Sequence, residues 1–162
     1  MMKLGAVILL SALSPFDIDP GMFDGVWIGA DNERPESNHV YFKIDELNAG
    51  RFVYVVNGKS IVDFEFSAEN VTEPQGYLEL TKSFENWGVK IMLSGWVSGE
   101  DRGMGMLTGI FYMYQLLDDK PMIFNSHFLW LWAIAGPIPE DDSDRGALLE
   151  IHKRYSDTET ES

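Results

Sequence analysis

A chain of 162 residues with 45% apolar and 13% aromatic side chains is long enough for one real core and too apolar to remain unfolded. Its 26 acidic against 12 basic residues leave a formal net charge of −14, a field that repels phosphate backbones and argues against nucleic-acid binding. No cysteine is present, which excludes disulfides, zinc–thiolate sites and cysteine nucleophiles.

The first residues, MMKLGAVILLSALSPFD, carry one lysine, then an apolar run from Leu4 to Leu10, then small residues at Ser11, Ala12 and Ser14. That layout predicts a secretory signal over residues 1–14 and a periplasmic or secreted protein. A buried first element of a cytoplasmic protein is the other reading of the same residues.

From there the chain breaks into short segments with period-2 character. Phe23–Asp31 is the first, followed by the polar loop NERPESN. In HVYFKIDE, Val40, Phe42 and Ile44 fall on one face and Tyr41, Lys43 and Asp45 on the other, the mark of a half-buried strand. RFVYVV and KSIVDFEFSA flank Asn57-Gly58, a pair suited to a type I′ hairpin turn because both tolerate positive φ. YLELTKS, WGVKIMLSGWVSG, MGMLTGIFYMYQL and PMIFNSHFLWLWA complete the series. About eight strands with turns between them and no intervening helix-period segment predict an all-β fold. Each strand should pair antiparallel with its sequence neighbour and the set should close as an up-and-down barrel over residues 15–156. RGALLEIHKRY places Leu148, Ile151 and Tyr155 on one stripe, so a C-terminal α-helix should pack outside the barrel, with N-cap candidates in EDDSD. Residues 157–162 read as an acidic tail. HFLWLWAIAG is too short for a membrane-spanning helix, which needs about 20 apolar residues, so no integral span is expected.

The last two strands are apolar on both faces. Met106, Ile110, Tyr112 and Tyr114 alternate with Leu107, Phe111 and Met113; Phe124, Phe128, Trp130 and Trp132 alternate with Ile123, Leu129 and Leu131. Something should cover the outer face: the C-terminal helix, a second subunit in a homodimer, or a lipid surface. The inner face then offers a ligand wall of Trp96, Tyr112, Tyr114, Phe128, Trp130 and Trp132, because small-molecule sites are lined by aromatic groups with a few polar ones. A one-residue change of register would exchange the whole set, and an eight-stranded barrel can also be filled by its own side chains.

His39, His127 and His152 show no metal-ligand spacing among them, and no metal or cofactor is implied. No spacing nominates an acid–base pair, and His127 reads as a hydrogen-bonded core residue. EDDSD lacks the glycine and glutamate of a calcium loop, and GEDRGMG lacks the strand–loop–helix context of a phosphate cradle.

The opening Phe23-Asp24-Gly25-Val26-Trp27 resembles the F-x-G-x-W start of calycin-type barrels: lipocalins, fatty-acid-binding proteins and avidins. The resemblance implies close backbone approach at Gly25, Trp27 as a plug at the closed end, and a barrel that binds a small apolar molecule. The T-D-Y signature common in lipocalins is missing, as is an arginine directly after the last strand. Three functions follow as expectations. The first is an exported lipocalin-like binding barrel. The second is a non-enzymatic structural or interaction protein with a filled barrel that dimerises through its late strands. The third is a barrel isomerase or cyclase, which would need a polar pair converging inside. An outer-membrane barrel is disfavoured by the charged faces of the early strands and by the C-terminal helix and tail.

Overall fold

The computed structural model describes residues 23–73, 77–97, 105–134 and 142–157. The leader-like segment 1–14, the tail beyond Asp157 and the first two residues of EDDSD, Glu140 and Asp141, lie outside the described residues; Asp142, Ser143 and Asp144 open the helix. Alternating apolar and polar residues produce the strands expected: β1 (Gly25–Asp31), β2 (Asn38–Ile44), β3 (Gly50–Val56), β4 (Lys59–Phe66), β6 (Tyr77–Ser83), β7 (Trp87–Val97), β8 (Gly105–Leu117) and β9 (Lys120–Ala133). One short strand was not foreseen, β5 (Val71–Thr72), preceded by a single 3-10 turn at Ala68–Asn70. Asn57 and Gly58 both have positive φ, 50° and 75°, as a type I′ turn requires.

All nine strands form one antiparallel sheet in the order β4-β3-β2-β1-β9-β8-β7-β6-β5. The first and last strands pair, from Trp27 opposite Ala133 to Asp31 opposite Leu129. The closed barrel expected from the strand count is not reached, and the sheet curls into a half-barrel instead. Its two edges are β4 and β5, which are sequence neighbours. The physical reason is local. Asn70 turns back onto Ser67, its N–H donating to the Ser67 carbonyl at 2.9 Å and its side-chain oxygen accepting from the Ser67 N–H at 3.1 Å. The chain is thereby turned away, and the two residues of β5 are too few to give β4 a ladder. Side chains span the seam: Phe64 meets Phe84 edge-on at 5.9 Å, and Phe84 stacks on Trp87 at 4.3 Å.

The inside of the curl is filled. Phe42, Phe52, Ile91, Leu107, Phe111 and Leu131 are fully buried in one cluster to which all nine strands contribute. Phe52 and Phe111, from strands that are not neighbours, touch across the interior at 5.3 Å. Trp27 is buried in this cluster, with its indole N–H donating to the Phe23 carbonyl at 2.7 Å. Gly25 differs from the expectation. A Cβ there would meet nothing within 4 Å, and what needs glycine is its φ of 131°. Close approach belongs to Gly29, where a Cβ would collide with the Trp130 carbonyl, so this glycine lets β1 lie tightly against β9.

The helix α1 (Asp142–Asp157) packs outside, through the predicted stripe of Leu148, Ile151 and Tyr155. It sits on Ile28, Tyr41, Val53 and Val55, the outward residues of β1, β2 and β3. Tyr155 lies 5.7 Å from the Tyr41 ring and under the Arg51 guanidinium at 5.3 Å, and Arg51 also forks onto Asp63 with two 2.9 Å bonds. Among the described residues the helix therefore covers the early strands, and of the late ones only Trp132 and Ile134, from the end of the β9 region, reach it. The two faces of β8–β9 are thus energetically unequal. Phe111→Ala is expected to cost about 3–5 kcal/mol of unfolding free energy by urea titration, against about 0.5 kcal/mol or less for Phe128→Ala in dilute solution.

Candidate functional site

Alternation on β9 turns Leu129, Leu131 and Ala133 inward, so the aromatic residues between them face out. Phe128 is 58% exposed and Trp130 41% exposed on the convex face. Trp132 is partly buried beside the helix cluster. Tyr112 and Tyr114 are brought together, with ring centres 6.4 Å apart, and Tyr114 lies over Gly88 with its hydroxyl 3.1 Å from that of Ser83. With Thr81, Lys90, Pro121 and Ile123 they line an outer groove of about 350 Å³. The backbone of Trp96 pairs with Met106, and its side chain lies outside the described residues. The five whose side chains are described do not share an inward wall. The register of β9 decides this, because the inward positions take the aliphatic members of the alternation.

A different set converges inside the curl. Four strands each carry one polar residue at the same end, one alternation step beyond the apolar layers. These are Asp31 after Trp27 and Gly29 on β1, Asn38 before Val40 on β2, Tyr54 after Phe52 on β3, and His127 before Leu129 on β9. Asp31 is 0% exposed and is the hub. Its Oδ2 accepts from the Tyr54 hydroxyl at 2.8 Å and from the Asn38 amide at 3.2 Å, and lies 2.7 Å from His127 Nδ1. Its Oδ1 accepts from the Glu33 N–H at 2.8 Å. The His127 ring is held between neighbours, 5.0 Å from Tyr54 and stacked on Phe111 at 5.9 Å.

The charge states follow from these contacts. Burial is the largest influence on Asp31 and pushes its pKa up. The hydrogen bonds from the Glu33 N–H, Tyr54 and Asn38, with the attraction of His127, outweigh it and hold the carboxyl below its ordinary value. Asp31 is therefore an ionised, acceptor-only group, and His127 Nδ1 must be the donor in their contact. Burial, and then the bond to Asp31, push the Tyr54 phenol above its ordinary value and keep it a donor. Among the described residues, His127 Nε2 is left buried without a hydrogen-bond partner. Such a group costs about 1–3 kcal/mol if nothing meets it.

Beside this network lies a pocket of about 290 Å³ at the open end of the half-barrel. It is lined by Asn38, Tyr54, Asn125 and His127, by Val56, Ile61 and Met113, and by Glu33 and Arg34 at its rim. The β1–β2 loop that carries the rim is pinned by the Ser37 and Asn38 N–H groups on the Arg34 carbonyl. His39, in contrast, is on β2 with the outward parity of Tyr41, and His152 is on the helix, so neither joins the site. Sequence reasoning missed the network because its members are far apart in the chain. A usable signal was present: in each strand a polar residue ends or interrupts an otherwise apolar inward series, Tyr54 being followed inward by Val56.

No family model, curated protein or solved structure matches this chain, so its own geometry is the ground for a functional reading. A folded-state pKa below the unfolded value means that Asp31 contributes stability above about pH 4, lost as pH falls through the folded value. Asp31→Asn is accordingly expected to cost about 2–4 kcal/mol at neutral pH. The gap to the parent protein should narrow below about pH 4, as read by urea unfolding across pH.

Proposed function

We propose that this protein is a small-molecule-binding half-barrel whose ligand sits at the open end, over the Asp31–His127 pair, and not in the lumen. The observation that carries this reading is the buried carboxylate with three inward polar side chains, and a His127 Nε2 without a partner among the described residues, beside a 290 Å³ pocket. Buried charge is costly to maintain in a fold and clusters where a ligand is recognised. The lining sets the ligand's character. Val56, Ile61 and Met113 suit an apolar body, and a single polar group would meet His127, Asn38 or Asn125. A filled interior favours this mouth site over the hollow barrel of a lipocalin. Kinship with calycins, which the opening strand suggests, and an exported location, which the first residues suggest, belong to the same proposal.

An isomerase reading is favoured by one of the same observations, the Asp–His pair inside the curl. It requires Nε2 to take a proton from a substrate, yet this nitrogen is covered, so ring motion would have to precede chemistry. Binding needs only that a ligand displace what covers the ring.

A fragment screen followed by amide chemical shifts tests the proposal. Small amphiphilic compounds are expected to move the signals of Arg34, Asn38, Val56, Ile61 and Asn125. His127→Leu should weaken the best of them by about tenfold or more, the loss of one hydrogen bond to a buried group. Hits that instead cluster at Tyr112 and Tyr114, or none at all, would sink the mouth site.

A further inference from the structure

The mouth pocket makes no use of the outer surface of β8 and β9. Among the described residues, eight of the eleven large apolar side chains left exposed lie on these two strands, so the exposure is concentrated and not scattered. The strands also run past their neighbours. β1 pairs with β9 only from Leu129 to Ala133, and β7 leaves β8 at Gln115. From Lys120 to His127, β9 therefore has β8 on one side and, among the described residues, no strand on the other. The result is a two-stranded ribbon, turned at Asp118 and Asp119 with φ of 51° and 60°, that extends beyond the sheet. Leu117, Met122, Ile123 and Phe124 stand exposed on it, and Phe128 and Trp130 continue the apolar surface onto the body. Two strands alone are marginal in water, and an exposed apolar edge is a template for association.

We propose that this ribbon is the contact between two copies of the chain, packed outer face to outer face about a two-fold axis. Area and charge both choose a second copy as the occupant. By strand alternation Ile110, Leu116, Ile123, Phe128 and Trp130 share the outer face. These roughly half-exposed side chains leave on the order of 500 Å² of apolar surface, and since a homodimer contact is about two-thirds apolar, that matches the roughly 800 Å² each partner contributes to a standard stable interface. A symmetric contact needs only one self-complementary patch, and this is the large one among the described residues. The chain carries a net charge of −14, so two copies repel over most of their surfaces. Gly105–Ala133 carries only Asp118, Asp119 and Lys120 among ionised Asp, Glu, Lys and Arg, so the ribbon is where two copies meet with least repulsion. Those three charges, with Pro121, sit at the tip, where they block further edge-to-edge growth and keep the assembly closed.

Sedimentation velocity of the full chain, from sub-micromolar to tens of micromolar, tests this. A dimer is expected. Ile123→Lys with Phe128→Lys should weaken it by at least about a hundredfold, while the far-ultraviolet circular dichroism is unchanged. Because the chain has no cysteine, Ile123→Cys supplies a single thiol on the ribbon and Leu47→Cys a control on the β2–β3 loop. Oxidation should trap a covalent dimer of the first and not of the second. A chain that stays monomeric throughout and does not cross-link through Ile123→Cys overturns the proposal. So does a monomer that floats with phosphatidylcholine vesicles, which would assign the ribbon to lipid.

Discussion

The antiparallel register between β1 and β9 is the constraint on which the rest of the structure depends. It joins the first strand of the domain to the last, and so curls a meander that would otherwise lie open on that side. Gly29 permits the approach, since any side chain there would strike the Trp130 carbonyl. The same register turns Leu129 and Leu131 inward and brings Asp31 within 2.7 Å of His127. It ends at Asp31, and from that point β9 continues with a bare edge. The buried polar network and the protruding ribbon are two consequences of where one pairing stops.

Filling the curl with side chains has a second consequence. Contacts such as Phe52 to Phe111 join side chains across the interior, and the described pocket beside the polar network lies at the end where the apolar layers give way to polar ones. A buried carboxylate there would be a serious liability if it were alone. Four contacts convert it into a rigid hub instead: a backbone N–H, a phenol, an amide and an imidazole. The imidazole is thereby oriented, with Nδ1 committed to Asp31 and Nε2 without a partner among the described residues.

The helix divides the outer surface in the same way. By docking on Ile28, Tyr41, Val53 and Val55 it shields the half of the sheet built from the early strands. Arg51 links the two layers, through its forked pair with Asp63 and its position over Tyr155. The late strands keep an apolar outer face with no cover from within the described chain. A strand that is apolar on both faces thus met its core on one side only.

Local pattern was enough for the strands other than β5, the Asn57-Gly58 turn and the helix stripe of Leu148, Ile151 and Tyr155, because alternation and turn chemistry act over a few residues. It was also enough to mark β8 and β9 as apolar on both faces. It could not say which face turned inward, because a strand's two faces are exchanged by a one-residue slip, and only pairing with β1 removes that choice. Nor could it place the seam at β4 and β5, which depends on a turn at Asn70 and on how few residues remain to pair. The convergence of Asp31, Asn38, Tyr54 and His127 was likewise a tertiary outcome. Each residue sits near one end of its own strand's inward series, and only the stagger of four strands sets those positions side by side.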